Sequence, residues 1–105
     1  MAQKGKNTQI RRIARERIEA LFHNAGAVFH ENPALSDRYV ALARRISMRQ
    51  RVPVPRTLRR LYCRRCYGYL VPGVNLRVRV HNGNVITTCL RCGYHRRYRV
   101  VRPHR

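Results

Sequence analysis

Apolar residues in the first third of the chain recur at steps of three and four positions. Between about Thr8 and His30 they fall at Ile10, Ile13, Ala14, Ile18, Leu21, Phe22, Ala25, Val28 and Phe29. This spacing places them on one face of an amphipathic helix, with charged residues around the rest of it. Gly26 lies inside the pattern at a cost of about 1 kcal/mol relative to alanine, and indicates either close approach of another helix or an early helix end.

A second helical pattern follows a clear start signal. Asn32 is a favourable N-cap residue, and Pro33 suits the first helical position. The apolar stripe then runs to about Met48 through Leu35, Tyr39, Leu42, Ala43 and Ile46. Because only a short turn separates the two patterns, they predict an antiparallel helical hairpin. The prolines of the segment 52–55 (VPVP) end the second helix.

The C-terminal half has the period-two alternation of β-strands. Residues 76–80 (LRVRV) alternate, so Leu76, Val78 and Val80 share one face and Arg77 and Arg79 the other. The following Asn-Gly pair is a strong hairpin signal, and residues 85–88 form the returning strand. A third strand is expected over residues 96–101.

All four cysteines occur in two Cys-x-x-Cys pairs, Cys63/Cys66 and Cys89/Cys92, separated by a loop long enough for a hairpin. Two such pairs supply the four ligands of a tetrahedral zinc site. Disulfides are the weaker alternative, since the N-terminal residues do not resemble a secretory signal. His95 follows three positions after Cys92, but four thiolates already close the site. We therefore expect one structural Zn²⁺, a three-stranded zinc ribbon and a cytoplasmic protein.

The charge of the chain, formally +20, is concentrated in its second part. All four acidic residues lie at or before Asp37, whereas eighteen arginines lie after it. A block of one sign beside an ordered metal module predicts a polyanionic partner, and nucleic acid is the natural one. An acidic membrane surface is the weaker rival, because the arginines do not lie on an amphipathic helix that carries Trp or Phe. Tyrosines among the arginines either stack on unpaired bases or pack the small ribbon core.

Nothing in the sequence indicates a catalytic site. A metal-dependent nuclease needs clustered carboxylates, and the four acids lie in or beside the helical hairpin. A closed four-cysteine site has no open position for a catalytic water. We therefore expect no catalytic residues in this chain.

The first helix carries more apolar surface than the shorter second helix can cover. Such a surplus is typical of a docking surface for a second protein, although the ribbon folding back onto the helices would explain it as well. The expected partner-binding residues are Ile10, Ile13, Ile18, Leu21, Phe22 and Val28.

Several motifs, in their order and spacing, make the chain from about Ile10 to Tyr98 resemble the archaeal ribonuclease P protein component 4 family. They are residues 43–48 (ARRISM), 62–66 (YCxxC), 70–75 (LVPGVN), 77–79 (RVR), 88–93 (TCxxCG) and 96–98 (RRY). The chain departs from the commonest form of the first knuckle, because Gly68 comes one place late, after Tyr67.

The resemblance implies a non-catalytic protein subunit of the ribonucleoprotein that removes 5′ leaders from precursor tRNA, with the chemistry carried by the RNA. It implies two N-terminal helices, a linker and a C-terminal zinc ribbon, with Cys63, Cys66, Cys89 and Cys92 as zinc ligands. It also implies pairing with component 1 and binding of the heterodimer to the specificity domain of the RNA. From charge and alternation we expect RNA contacts from Arg44, Arg45, Arg56, Arg59, Arg60, Arg77, Arg79, Arg96 and Arg97.

The chain is thus expected to be a small α+β zinc protein. The predicted order is a flexible basic lead-in (1–9), the helical hairpin (10–50), an arginine- and proline-rich linker (51–61), the zinc ribbon (62–101) and a basic tail (102–105). A zinc-ribbon protein of the ribosome or of the transcription machinery is the alternative function, although it would not account for the helical hairpin.

Overall fold

The fold was obtained as a computed structural model, which describes residues 2–99, with side chains from residue 7 onward. Helix α1 spans Ala2–Val28, α2 spans Pro33–Gln50 and the short α3 spans Arg56–Arg59. Strands β1 (Leu76–His81), β2 (Asn84–Cys89) and β3 (His95–Arg99) follow. The predicted tail 102–105 and the last residues of the predicted ribbon lie outside the described residues.

The chain divides into two compact units. The helical unit runs up to Tyr62 and also includes the segment Tyr67–Tyr69, whereas the ribbon unit consists of Cys63–Cys66 and the chain from Leu70 onward. Within the described residues, no helix combines the length and apolar character that a bilayer span needs.

The two long helices pack as the predicted antiparallel hairpin. The hydroxyl of Ser36 donates a 2.6 Å hydrogen bond to the carbonyl of Ala25, and the Arg11 guanidinium donates to the carbonyl of Arg51. Contact partners therefore run in opposite directions along the two helices. The start of α2 is as predicted: the Asn32 side chain accepts a 3.1 Å bond from the Leu35 N–H, and proline follows the cap.

Helix α1 begins at Ala2, within the predicted lead-in, and Gly5 does not interrupt its backbone. The predicted linker, residues 51–61, contains α3, which starts after Pro55. The Arg59 side chain donates a 2.9 Å bond to the Val54 carbonyl and thereby ties this turn to the proline segment.

Tyr69 packs beside α1, a contact that the sequence did not predict. Its side chain is 7% exposed, its ring lies 5.8 Å from that of Phe29, and its backbone N–H donates a 2.8 Å bond to the Asp37 carboxylate. Burial raises the pKa of Tyr69, so its hydroxyl stays neutral. A Cβ atom at Gly26 would come within 2.9 Å of this hydroxyl. The close approach expected at Gly26 is therefore made by a tyrosine, not by a helix.

The ribbon unit is a three-stranded antiparallel sheet with strand order β1-β2-β3. The predicted Asn-Gly hairpin is confirmed: Asn82 and Gly83 both have positive φ, at 50° and 76°, as a type I′ turn requires. The buried cluster of this unit is small and consists of Cys63, Leu70, Leu76 and Cys89, with Cys92 and Tyr94 packed against it.

Replacing Gly26 with alanine should destabilise the chain by about 1–3 kcal/mol, a typical cost of overpacking, although alanine is the better helix former. In a Tyr69→Phe background the same replacement should stabilise by up to about 1 kcal/mol, because the nearest remaining ring atom is 3.9 Å away. Denaturant unfolding of the four variants measures both effects. Equal effects in the two backgrounds would show that the tyrosine hydroxyl does not set the limit.

Candidate metal centre and cationic surface

The two Cys-x-x-Cys turns bring four sulfur atoms together, all within 4.8 Å of one another. We call Cys63, Cys66, Cys89 and Cys92 the sulfur cluster. The Sγ atoms of Cys63 and Cys92 are 3.5 Å apart and those of Cys66 and Cys89 are 3.7 Å apart. Thiolates placed about 2.3 Å from a tetrahedral zinc ion would be separated by about 3.8 Å. The donor set and its size therefore fit a tetrahedral metal ion.

All four cysteines are free of disulfides, and their sulfurs are far beyond the about 2.05 Å of an S–S bond. Cys63 and Cys89 are buried, whereas Cys66 is exposed. His95 is not part of the sulfur cluster: its Nδ1 lies 2.9 Å from the Thr88 hydroxyl, and the described metal-binding group consists of the four thiols. The four thiols could therefore hold a metal ion, as predicted, and they are not paired in disulfides.

Backbone donors orient the first turn. The N–H groups of Arg65 and Cys66 point at the Cys63 sulfur, at 3.4 and 3.5 Å. Burial raises the pKa of Cys63, but these two hydrogen bonds and those with neighbouring thiols outweigh it and lower the pKa to about 7. Cys63 is therefore prepared to act as a thiolate, the form that binds metals.

Cys92 behaves in the opposite way. The Tyr94 N–H lowers its pKa, but burial and the adjacent Cys63 and Cys89 thiols together raise it above the ordinary value. Adjacent thiolates repel each other, so one thiol keeps its proton while its neighbour ionises. A bound cation would let all four ionise together.

The second turn ends at Gly93, whose φ of 80° allows its N–H to donate a 2.8 Å bond to the Cys89 carbonyl. The equivalent place in the first turn, directly after Cys66, is held by Tyr67 with a φ of 62°. The departure noted in the sequence is therefore real: Tyr67, not Gly68, takes the left-handed conformation. A non-glycine residue there costs about 1–2 kcal/mol.

The sheet displays a cationic face. Arg77, Arg79 and His81 of β1 alternate onto it, as do His95, Arg97 and Arg99 of β3. The register places Arg79 beside Ile86 and Ile86 beside Arg97, so the two arginines lie two strand spacings apart, about 10 Å. No carboxylate follows Asp37 in the sequence, so no acid of the ribbon balances this charge. We call these six residues the arginine face; all of them are exposed.

The other predicted RNA residues are distributed over both units. Arg45, Arg56, Arg59 and Arg60 are exposed on the helical unit, and Arg44 is half-buried with its guanidinium carbon 3.4 Å from the centre of the Tyr67 ring. Arg96 points to the sheet face opposite the arginine face, 5.3 Å from the Tyr98 ring centre. Arg99, His81 and His95 share the face of Arg79 and Arg97 but were not among the residues named from the sequence, although strand alternation places them there.

The predicted partner residues are also divided. Ile10 and Ile13 are exposed, at 46% and 42%, and border a groove of about 220 Å³ between α1 and the end of α2. Ile18 and Phe22 are buried instead, so placing them on a docking surface needs correction. The surplus apolar face was overestimated because the Phe22 ring lies 5.7 Å from that of Tyr62. Leu21 and Val28 are half-buried.

Comparison with known proteins identifies relatives over nearly the whole chain. A family model described as the RNAse P Rpr2/Rpp21/SNM1 subunit domain matches residues 17–93, a range that contains all four cysteines. The ribonuclease P protein component 4 of Methanoregula boonei is 54% identical over 102 residues, which cover 97% of this chain and 98% of that protein.

Solved structures give the same result. A chain in a cryo-EM structure of archaeal ribonuclease P with mature tRNA matches with a TM-score of 0.76 at 38% identity, covering 83% of this chain and 76% of that chain. A structure of Pfu Rpp21 matches with a TM-score of 0.59 at 40% identity, covering 83% and 99%. These matches confirm the resemblance read from the motifs and do not favour the ribosomal or transcriptional alternative. The chain belongs to the RNAse P Rpr2/Rpp21/SNM1 subunit family.

Proposed function

We propose that this chain is a protein subunit of ribonuclease P and assists the catalytic RNA in removing 5′ leaders from precursor tRNA. The observation that carries the proposal is the match over nearly its whole length to proteins named ribonuclease P protein component 4. The structure of archaeal ribonuclease P with mature tRNA supports ribonuclease P RNA and tRNA as partners.

The chemistry of cleavage belongs to the RNA subunit in this proposal. Among the described carboxylates, Glu16 lies 3.6 Å from the Arg12 guanidinium and Asp37 accepts the Tyr69 N–H. Both carboxylates thus make structural contacts, at separate places on the helices. The part assigned to this protein is to bind RNA and a second protein subunit.

We assign Zn²⁺ to the sulfur cluster, as one structural ion per chain. Thiolates are the ligands that zinc prefers, and four of them leave no open coordination position. The ion would neutralise the thiolates and hold the two turns at the end of the sheet. Reduced thiols also suit the cytoplasm, the location expected from the sequence.

We place the principal RNA contacts of the ribbon unit on the arginine face. An arginine fork can donate two hydrogen bonds to one phosphate, and each phosphate neutralised releases condensed counterions. On the helical unit, Arg45, Arg56 and Arg60 add exposed cations. Arg96 is reassigned from direct contact to support of Tyr98 on the opposite sheet face.

We infer that component 1 docks at the groove bordered by Ile10 and Ile13. Its wall also includes Ile46, and Arg17 and Arg49 form a cationic rim. A partner that inserts an apolar side chain flanked by carboxylates would complement both features.

The proposed function is tested by reconstitution. The cognate ribonuclease P RNA and component 1 are combined with precursor tRNA at limiting Mg²⁺, with and without this chain. We expect the chain to accelerate cleavage, because neutralising phosphates substitutes for part of the magnesium requirement. Absence of any stimulation, with zinc bound and the partner present, would contradict the proposal.

Replacing Cys63 with serine should abolish zinc binding and unfold the sheet, because the buried cluster of the ribbon unit includes Cys63 and Cys89. Native mass spectrometry should give about one zinc per wild-type chain and none in this variant. Hydrogen exchange should show loss of protection in β1–β3, while α1 and α2 remain protected by their own core. Leu90→Ser is the matched control, since Leu90 lies in the second turn but is 59% exposed. A zinc-free variant with an intact sheet would contradict the assignment.

Replacing Ile13 with glutamate should weaken pairing with component 1 by tenfold or more, at about 1.4 kcal/mol per tenfold. The chain should still fold, because Ile13 is already 42% exposed. Calorimetric titration of the partner measures the affinity. Val80→Glu, at a 71% exposed position of the ribbon, introduces the same charge and serves as control. Unchanged pairing in the Ile13 variant, or equal loss in both, would remove the groove as the docking site.

A further inference from the structure

Tyr67 occupies a backbone position where a side chain is costly. It directly follows Cys66 with a φ of 62°, and the matching residue of the second turn is Gly93 with a φ of 80°. Glycine adopts this conformation freely, whereas a bulky L-residue is strained in it. The chain does contain a glycine at the next position, Gly68, but Tyr67 takes the left-handed conformation. Strain of this kind persists where the side chain has a use.

One face of the Tyr67 ring is already occupied. The guanidinium carbon of Arg44, on α2, lies 3.4 Å from the ring centre, which is the distance of a stacked cation–π pair. Arg44 itself is half-buried, so its side chain is held by the surrounding helix rather than free in solution. Tyr67 nevertheless remains 42% exposed. The ring thus contacts Arg44 on one side, while the residue as a whole stays accessible to solvent.

The remaining tyrosines do not share this combination. Tyr69 is buried, Tyr94 packs against the buried cluster of the ribbon, and the Tyr62 ring lies 5.7 Å from that of Phe22. Tyr39 and Tyr98 are half-buried. Tyr67 is thus the exposed tyrosine of the chain, and its arginine lies closer, at 3.4 Å from the ring centre, than Arg96 does to Tyr98, at 5.3 Å.

We propose that the open face of Tyr67 is a stacking platform for one unpaired base of the bound RNA. An aromatic ring fixed by a guanidinium on one side can complete a guanidinium–ring–base stack with little loss of conformational freedom. The positive charge of Arg44 also attracts the nucleotide that carries the base. The inference rests on the proposed RNA-binding function and adds to it a residue that reads single-stranded rather than duplex RNA.

The test compares two probes with the full-length, zinc-loaded chain: a single-stranded RNA octamer carrying one 2-aminopurine, and an RNA duplex with no unpaired base. Tyr67→Leu should weaken binding of the octamer by about fivefold or more, the range found for loss of base–aromatic stacking. It should leave duplex binding unchanged. Tyr67→Phe, which keeps the ring, should bind both probes as the wild type does. The emission change of 2-aminopurine on binding should persist with Phe and disappear with Leu.

Two further variants separate stacking from charge and from folding. Stacking releases no counterion, so Tyr67→Leu should leave the salt dependence of octamer binding unchanged, whereas Arg79→Ala should reduce the log–log slope by about 0.7. Tyr67→Gly should keep or raise the thermal midpoint, because glycine removes the backbone strain, and should weaken octamer binding as Leu does.

The outcomes distinguish this inference from the function on which it rests. Octamer binding unaffected by Tyr67→Leu, or weakened equally for octamer and duplex, would overturn the platform while leaving RNA binding intact. If Tyr67→Gly has a lower thermal midpoint than the wild type but binds the octamer with unchanged affinity, the role of Tyr67 is to pack against Arg44 and not to stack on a base. Failure of the wild type to bind either probe, or ribonuclease P RNA, would overturn the RNA-binding function and the inference together.

Discussion

Four sulfur atoms within 4.8 Å of one another set the main constraint on the C-terminal half of this protein. Without a cation their charges cannot all develop, as the opposite pKa shifts of Cys63 and Cys92 show. Apart from the cysteines, the buried residues of the ribbon's apolar cluster are Leu70 and Leu76. A three-stranded sheet with so small a core would depend on the two cysteine turns, and binding of the proposed ion would then be part of the folding free energy.

This dependence explains how the sheet tolerates its charge. Both Arg79 and Arg97 face the same side of the central residue Ile86, with no acid in the ribbon to offset them. Such repulsion destabilises an isolated fold, and a core of a few apolar residues would not offset it. With stability supplied by the proposed ion at the sulfur cluster, the strands would need less packing in a core, and Val78 and Val80 are indeed exposed. The proposed zinc site and the proposed RNA surface are therefore two parts of one arrangement.

Local signals carried most of the sequence prediction. Asn32-Pro33 began α2 and Asn82-Gly83 formed the hairpin, because each depends on neighbouring residues only. The four thiols come from two turns that are distant in the sequence, but the repeated Cys-x-x-Cys spacing identified both of them. The segment Tyr67–Tyr69 could not be predicted in the same way. Its position depends on Asp37, more than thirty residues earlier, and on the missing side chain of Gly26. Burial of Phe22 likewise follows from the distant Tyr62, which periodicity along α1 cannot reveal.

The two Cys-x-x-Cys turns differ in the residue type that takes the left-handed backbone conformation. Both need a left-handed residue after the second cysteine; one uses Gly93 and the other the strained Tyr67. Glycine at position 67 would remove the backbone strain but also the ring that contacts Arg44. Tyr67 stacks on Arg44 of α2, within the helical unit. A strained backbone with an exposed ring is the combination expected where stability has been exchanged for recognition.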